Sequence, residues 1–290
     1  MSLIFEILLI FIEYYLPEIS SVPYPIRVLQ YFTSSSNPKF FLSPFHALYC
    51  VMYGCMIYWN MIWMYEIYLI IASCLLYYIQ STKDASPNTV TSNNKSVPRN
   101  NFLIVFLKIP HNYLSHLECW LHDFLFHTPS LFNSPHLSCS PSEFWSKRWQ
   151  KLYRNCFVEL GYLPCKQFVN HYYPSSLPFK KEFAHMIGVF AGFWWSALFH
   201  EYIVHSIFGL GTGEHFTLFI FHGIIIIVWE IITVSFKKFT RVEQNNYVMK
   251  VIGFFVWNSI LILSAPWFVE PYIRGRHYYC YPHFVCNKNS

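Results

Sequence analysis

The residues of this chain best suited to acid–base chemistry are His200 and Glu201, within His200-Glu201-Tyr202-Ile203-Val204-His205. Two imidazoles and a carboxylate first suggest a zinc hydrolase. That chemistry needs the second His four residues after the first, so that both rings share a helix face. Position 204 is Val, and His205 stands five residues on, about 140° around a helix from His200. The metalloprotease reading fails on this geometry. A buried structural His and a general base remain. Residues 184–208 are apolar almost throughout. At 1.5 Å per residue they reach about 37 Å, enough to cross a bilayer core of about 30 Å. An ionisable group is costly there and by default marks a functional site. This favours the general base, since a neutral imidazole can take a proton from a hydroxyl.

The elements that must position this pair are membrane helices. Of the 290 residues, 54% are hydrophobic and only 12% charged, with a mean hydropathy of +0.29; a soluble domain carries about 25% charged residues. The expected fold is therefore all-α, a polytopic transmembrane helical bundle of about six to eight spans with amphipathic interfacial helices, in one membrane domain over 1–290. Spans are expected at 184–208, 216–236 and 248–268. Gly188, Gly192 and Ser196 lead to His200 at four-residue steps, a face on which another helix can pack closely. Trp194 and Trp195 stand beside it. His205, His222 and Glu230 are further candidate cavity residues.

The N-terminal half says less. Residues 3–16 are a short apolar stretch with Glu6 and Glu13, ended by Pro17. They read as a marginal span or interfacial helix, with no basic region marking a cleavable leader. Residues 41–79 are nearly twice a bilayer's thickness and are split into two spans near 58–60. Residues 81–100 are a polar loop. His111, His116, His122 and His127 follow at spacings of five, six and five; these do not keep one helical face, and no metal site is expected. None of the nine Cys forms a CxxC pair, so buried free thiols are expected. Cys280 and Cys286 could pair if the tail is lumenal.

Residues 128–182 carry Lys147, Arg148, Lys151, Arg154, Lys166, Lys180 and Lys181 against Glu143, Glu159 and Glu182. With the basic turn 237–241, this excess marks the cytosolic side. No basic stripe on a soluble surface supports nucleic-acid binding. Ser142 is read as the cap of a helix over 142–160, stopped by Gly161. Its mixed aromatic and basic faces suit a membrane surface.

Together, Pro129-Ser130-Leu131-Phe132-Asn133-Ser134-Pro135, then Phe144-Trp145-Ser146-Lys147-Arg148-Trp149-Gln150, then Leu160-Gly161-Tyr162-Leu163-Pro164, then Ala197-Leu198-Phe199-His200-Glu201-Tyr202 resemble the wax-synthase branch of the membrane-bound O-acyltransferase family. The resemblance covers roughly residues 128–235. It implies an acyl-CoA-dependent O-acyltransferase of the endoplasmic reticulum, acting on a lipophilic alcohol taken from the bilayer. No metal or cofactor is implied, acyl-CoA being a co-substrate. A related expectation is an acetyltransferase acting on a hydroxylated secondary metabolite; another is a member without catalysis. The family's membrane His falls on His200 as general base. Gln150 stands where relatives carry Asn or His; its amide can donate to a developing oxyanion but cannot act as a base. Lys147, Arg148 and Lys151 are expected at the CoA phosphates. Trp145, Trp149, Trp195 and Glu201 complete the expected binding set; Glu201 could orient His200, but adjacent helical residues point about 100° apart, and packing against another helix is an equal expectation.

Overall fold

A computed structural model of the chain describes residues 22–34, 43–84, 111–127, 130–174, 178–209, 211–240 and 247–275. Among the described residues there is no strand, and the all-α expectation holds. The longer helices are α1 (Tyr24–Thr33), α2 (Pro44–Asp84), α3 (His111–His127), α4 (Leu163–Tyr172), α5 (Lys180–Phe208), α6 (Glu214–Thr240) and α7 (Tyr247–Arg274). Four stretches are long and apolar enough to cross a membrane: Pro44–Ser81, Lys180–Phe208, Glu214–Phe236 and Tyr247–Arg274. Only 17% to 28% of each most apolar window is buried inside the chain, so most of its apolar side chains face outward, as lipid contact requires. The chain is an integral membrane protein. The stretches 3–16 and 102–109, residues 85–100, and Cys280 with Cys286 lie outside the described residues.

By compactness the chain divides into Met1–Tyr58 with Leu131–Ser290, and Trp59–Ser130. In the second unit Ala72, Leu76 and Ile79 of α2 pack against Leu121 of α3. In the first, Tyr49, Cys50, Tyr53 and Met56 of α2 pack against Val269 and Ile273 of α7. The two spans expected within 41–79 are one helix, Pro44–Asp84. Tyr58, Trp59 and Asn60 include no Pro or Gly, and one Asn costs a helix less than about 1 kcal/mol. The last span also runs further than 268. It continues to Arg274 through Pro266 and Pro271, both buried.

The helices α5 and α6 form an antiparallel pair. Gly209 and Gly213 in the turn have φ of 66° and 70°, a left-handed conformation that glycine adopts without steric cost. At the foot of this pair lies a buried ionic knot. Glu270 of α7 is fully buried and binds Arg27 of α1, Arg274 at 3.1 Å and His46 of α2 at 2.9 Å. Glu214, also fully buried, accepts the Tyr24 N–H at 2.9 Å, the Thr212 hydroxyl at 3.0 Å and the Arg274 guanidinium. Two guanidinium groups thus balance two carboxylates, the arrangement in which buried charge is tolerated.

Helix α7 also clamps the loop before residue 141. A Cβ added at Gly253 would clash with the Cys139 carbonyl oxygen, a backbone atom that cannot swing aside. Gly253→Ala is expected to lower stability by about 1–3 kcal/mol. Thermal unfolding in detergent measures this; an unchanged midpoint would mean that the loop yields freely.

Candidate active site

The aromatic-basic segment is not the single helix 142–160. Ser140, rather than Ser142, is the cap: its hydroxyl accepts the Glu143 N–H at 3.1 Å. One helical turn, Pro141–Glu143, runs into a wider turn, Phe144–Arg148, closed by Trp149 N–H to Phe144 O at 2.7 Å. In a regular helix residues five apart stand about 140° apart. The wider loop brings Trp149 beneath Phe144, where the rings stack at 5.2 Å and 17°. A second such turn, Val158–Tyr162, precedes α4. Gly161 does not stop a helix. It is buried within this turn, and a Cβ there would meet the Ala191 carbonyl oxygen at 2.6 Å. Backbone bonds from Asn133 N to Arg148 O and from Lys151 N to Leu131 O tie the 131–133 loop to this segment.

Between this segment and the α5–α6 pair lies a cavity of about 370 Å³. His200, Ser196, Gln150, Trp145, Trp149 and Phe219 line it. His200 Nδ1 lies 2.7 Å from the Ser196 carbonyl oxygen. A carbonyl only accepts, so Nδ1 carries the proton, and Nε2 of the neutral ring is left as the base. The imidazole stacks on Phe219 of α6 at 4.0 Å and 27°, which sets its plane. Gln150 Oε1 accepts the Tyr153 N–H at 3.3 Å, leaving the amide NH₂ to donate. Trp145 is held from behind: its Nε1–H donates to His222 Nδ1 at 3.4 Å, and His222 Nε2–H donates to Ser264 Oγ at 3.2 Å. His222 is thus a buried support and not a wall of the cavity.

Of the nine residues in the expected catalytic and binding set, the structure brings four together at the cavity, His200, Gln150, Trp145 and Trp149, and sets five apart from it. Glu201 turns to the next helix, where its carboxylate accepts N–H bonds from Gly213 at 2.7 Å and Phe216 at 3.1 Å. It caps α6, as a carboxylate at a helix N-terminus should. Arg148 is spent internally, on Glu143 at 2.7 Å and on the carbonyls of Asn133 and Ser134. Partial burial acts upward on Glu143. The Cys139 N–H, the Arg148 hydrogen bond, and the charges of Arg148 and Lys147 outweigh it and hold the carboxyl below its usual range. Lys147 is exposed, Lys151 half-buried, and Trp195 44% exposed over Gly161; none lines the cavity. His205 is exposed at the end of α5.

Replacing Glu201 by Ala would leave two helix-end N–H groups without their acceptor. A stability loss of about 0.5–2 kcal/mol is expected, with Glu201→Gln retaining part of it. Unfolding of the two variants side by side checks this; equal stability of Ala and wild type would contradict the cap.

Ser142, Arg154, Tyr162 and His185 also line the cavity, with Glu230. Of these, sequence reasoning named only Glu230 for the cavity. The detectable signal was the run Gly188, Gly192, Ser196, read as a helix-packing face. These residues are cavity wall, and at Gly188 an added Cβ would meet the Tyr162 ring at 2.8 Å. Elsewhere, His122, Asp123 and His127 of α3 bring one ligand atom each within 4.8 Å of one another on an exposed face. Asp123 joins two of the four His of this segment, three exposed groups in all, so a tetrahedral set is not completed there.

Residues 128–222 match the model of the Membrane bound O-acyl transferase family. The chain is 26% identical over 147 residues to the probable long-chain-alcohol O-fatty-acyltransferase 3 of Arabidopsis thaliana, covering 49% of this chain and 39% of that protein. It is 29% identical over 141 residues to the probable long-chain-alcohol O-fatty-acyltransferase 7 of the same plant, covering 48% and 38%. The matched stretch thus spans under two fifths of either relative's length. No solved structure matches the chain. The matched stretch, residues 128–222, holds Trp145, Gln150 and His200, and the family it is similar to is the one that the motif resemblance pointed to.

Proposed function

We propose that this protein is a membrane O-acyltransferase that moves an acyl group from acyl-CoA to the hydroxyl of a lipophilic alcohol, forming a wax-type ester. The observation that carries the reading is His200, with Nδ1 bonded to the Ser196 carbonyl and Nε2 left as base, in one cavity with the Gln150 amide. Nε2 takes the proton of the alcohol as its oxygen attacks the thioester carbon. The Gln150 NH₂ donates to the carbonyl oxygen as it becomes an oxyanion. The C–S bond breaks, the carbonyl reforms, and the departing thiolate takes the proton from His200. Neither an acyl-enzyme nor a metal or other cofactor is needed in this scheme. The donor comes from the cytosolic side, where the basic residues of 128–182 lie, and the acceptor from the bilayer; an endoplasmic reticulum location fits both.

The reading is tested by expressing the chain in microsomes and offering radiolabelled palmitoyl-CoA or acetyl-CoA with a panel of fatty alcohols. A labelled ester from palmitoyl-CoA is expected. Ester from acetyl-CoA alone would move the donor to the short-chain class, and no ester from any pair would overturn the reading.

A further inference from the structure

The cavity has a second polar end. His185 and His200 both line it and stand fifteen residues apart on α5, which is about 22 Å along the helix axis. The stretch of α5 between them is mostly apolar, Gly188, Val189, Gly192 and Phe193 ahead of Ser196, with Ile226 of α6 opposite; Ser146 and Arg154 also line the cavity. At the far end, side chains from five separate elements meet. Tyr162 Oη lies 2.9 Å from His185 Nδ1, and His185 Nε2 lies 3.1 Å from Glu230 Oε2. The Ser142 hydroxyl donates to Glu230 Oε1 at 2.8 Å, and Lys166 Nζ donates to Tyr162 Oη at 3.1 Å. Four of these side chains, Ser142, Tyr162, His185 and Glu230, line the cavity, and Lys166 stands behind Tyr162.

We propose that Ser142, Tyr162, His185 and Glu230, backed by Lys166, form a second recognition site, at the other end of the cavity from His200, that holds a neutral hydrogen-bonding group of a substrate, a hydroxyl or an amide. The inference rests on the acyltransferase reading of the same cavity. Capacity for a ligand remains after the internal bonds: a carboxylate offers about four acceptor sites, a hydroxyl two lone pairs, and an ammonium three donors. The opposed charges of Lys166 and Glu230 favour a neutral group over an anion. The apolar residues between the two ends suit an aliphatic chain of the ligand. Two sources supply such a group. One is the amide-bearing arm of the thioester donor, and the other is the far end of a bifunctional acceptor.

Tyr162→Phe and Ser142→Ala, each in the full chain in membranes, separate these sources. Two substrate pairs are compared: palmitoyl-CoA with the palmitoyl N-acetylcysteamine thioester, and the α,ω-diol of hexadecane with hexadecanol. The variants are expected to lose about tenfold in kcat/KM for the pair member that carries the remote group, and no more than about twofold for its partner. A contrast within the thioester pair assigns the site to the donor; a contrast within the alcohol pair assigns it to the acceptor. Equal losses within both pairs would overturn the proposal and leave the cluster as a helix clamp. Binding of the same labelled probes to His200→Ala protein, alone and combined with Tyr162→Phe, reads the contrast without turnover. Absence of ester from wild type therefore counts against the acyltransferase reading, while absence of any contrast in binding counts against this site.

Discussion

Replacing His200 by Ala is expected to lower kcat/KM for ester formation by about 10²–10⁴-fold, the usual contribution of a positioned general base. The change should fall on kcat, with KM for either substrate moved little, because the imidazole acts on a proton in transit rather than on either substrate's bulk. The fold should survive. His200 is one partner of a stack with Phe219 and of one bond to its own helix, and neither ties distant elements together. His200→Gln is a sharper comparison, keeping a polar side chain of similar reach without a base. Steady-state assays on membranes with matched protein content read both. A variant that retained wild-type kcat would return His200 to a structural role.

Removing Glu270 is expected to be far more damaging to the fold than to the chemistry. Its carboxylate is fully buried and receives Arg27, Arg274 and His46. Glu270→Ala would leave two guanidinium groups facing Glu214 alone. Breaking one partner out of a buried network costs about 3–5 kcal/mol, because the remaining charge is left uncompensated. The elements released would be α1, the start of α2 and the end of α7, none of which supplies a wall of the cavity. Loss of protein in membranes and early thermal unfolding in detergent should precede any change in the activity of the molecules that remain folded. A stability loss under about 1 kcal/mol, as for an exposed pair, would show the network to be solvated.

These two predictions differ in how far they could be seen beforehand. His200 was legible because an ionisable group inside a long apolar run is conspicuous from composition alone, and because the spacing to His205 disposed of the zinc alternative. The three C-terminal spans were legible for the same reason, their ends within four residues except for the last, which runs six residues further. Glu270 was not: it stands two residues beyond the expected end of its span, and its partners Arg27 and His46 are more than two hundred residues away in sequence. Glu201 was open from its sequence to two tasks, orienting His200 or packing against another helix, and the structure shows the second. Adjacent helical residues point about 100° apart, and what Glu201 meets, the first N–H groups of α6, depends on a turn that hydropathy does not describe. Arg148 was misjudged, since a basic residue beside aromatics reads as free until the loop carbonyls of Asn133 and Ser134 are brought to it. The wider turns at 144–148 and 158–162 have no periodic signal. They exist because stacking Phe144 on Trp149, and seating Gly161 against Ala191, outweigh regular helix geometry. His185 and Glu230, forty-five residues apart, become a pair only when α5 and α6 lie antiparallel.

The most direct test of His200 as the base is chemical rescue: ester formation by the His200→Ala variant as free imidazole is added. With the side chain gone, a small base can enter the space it leaves and take the alcohol's proton. The predicted result is a variant nearly inactive without imidazole, whose rate rises with imidazole concentration towards saturation, while wild type is unaffected. A His200→Ala variant that forms ester at the wild-type rate, with no dependence on imidazole, would contradict the account.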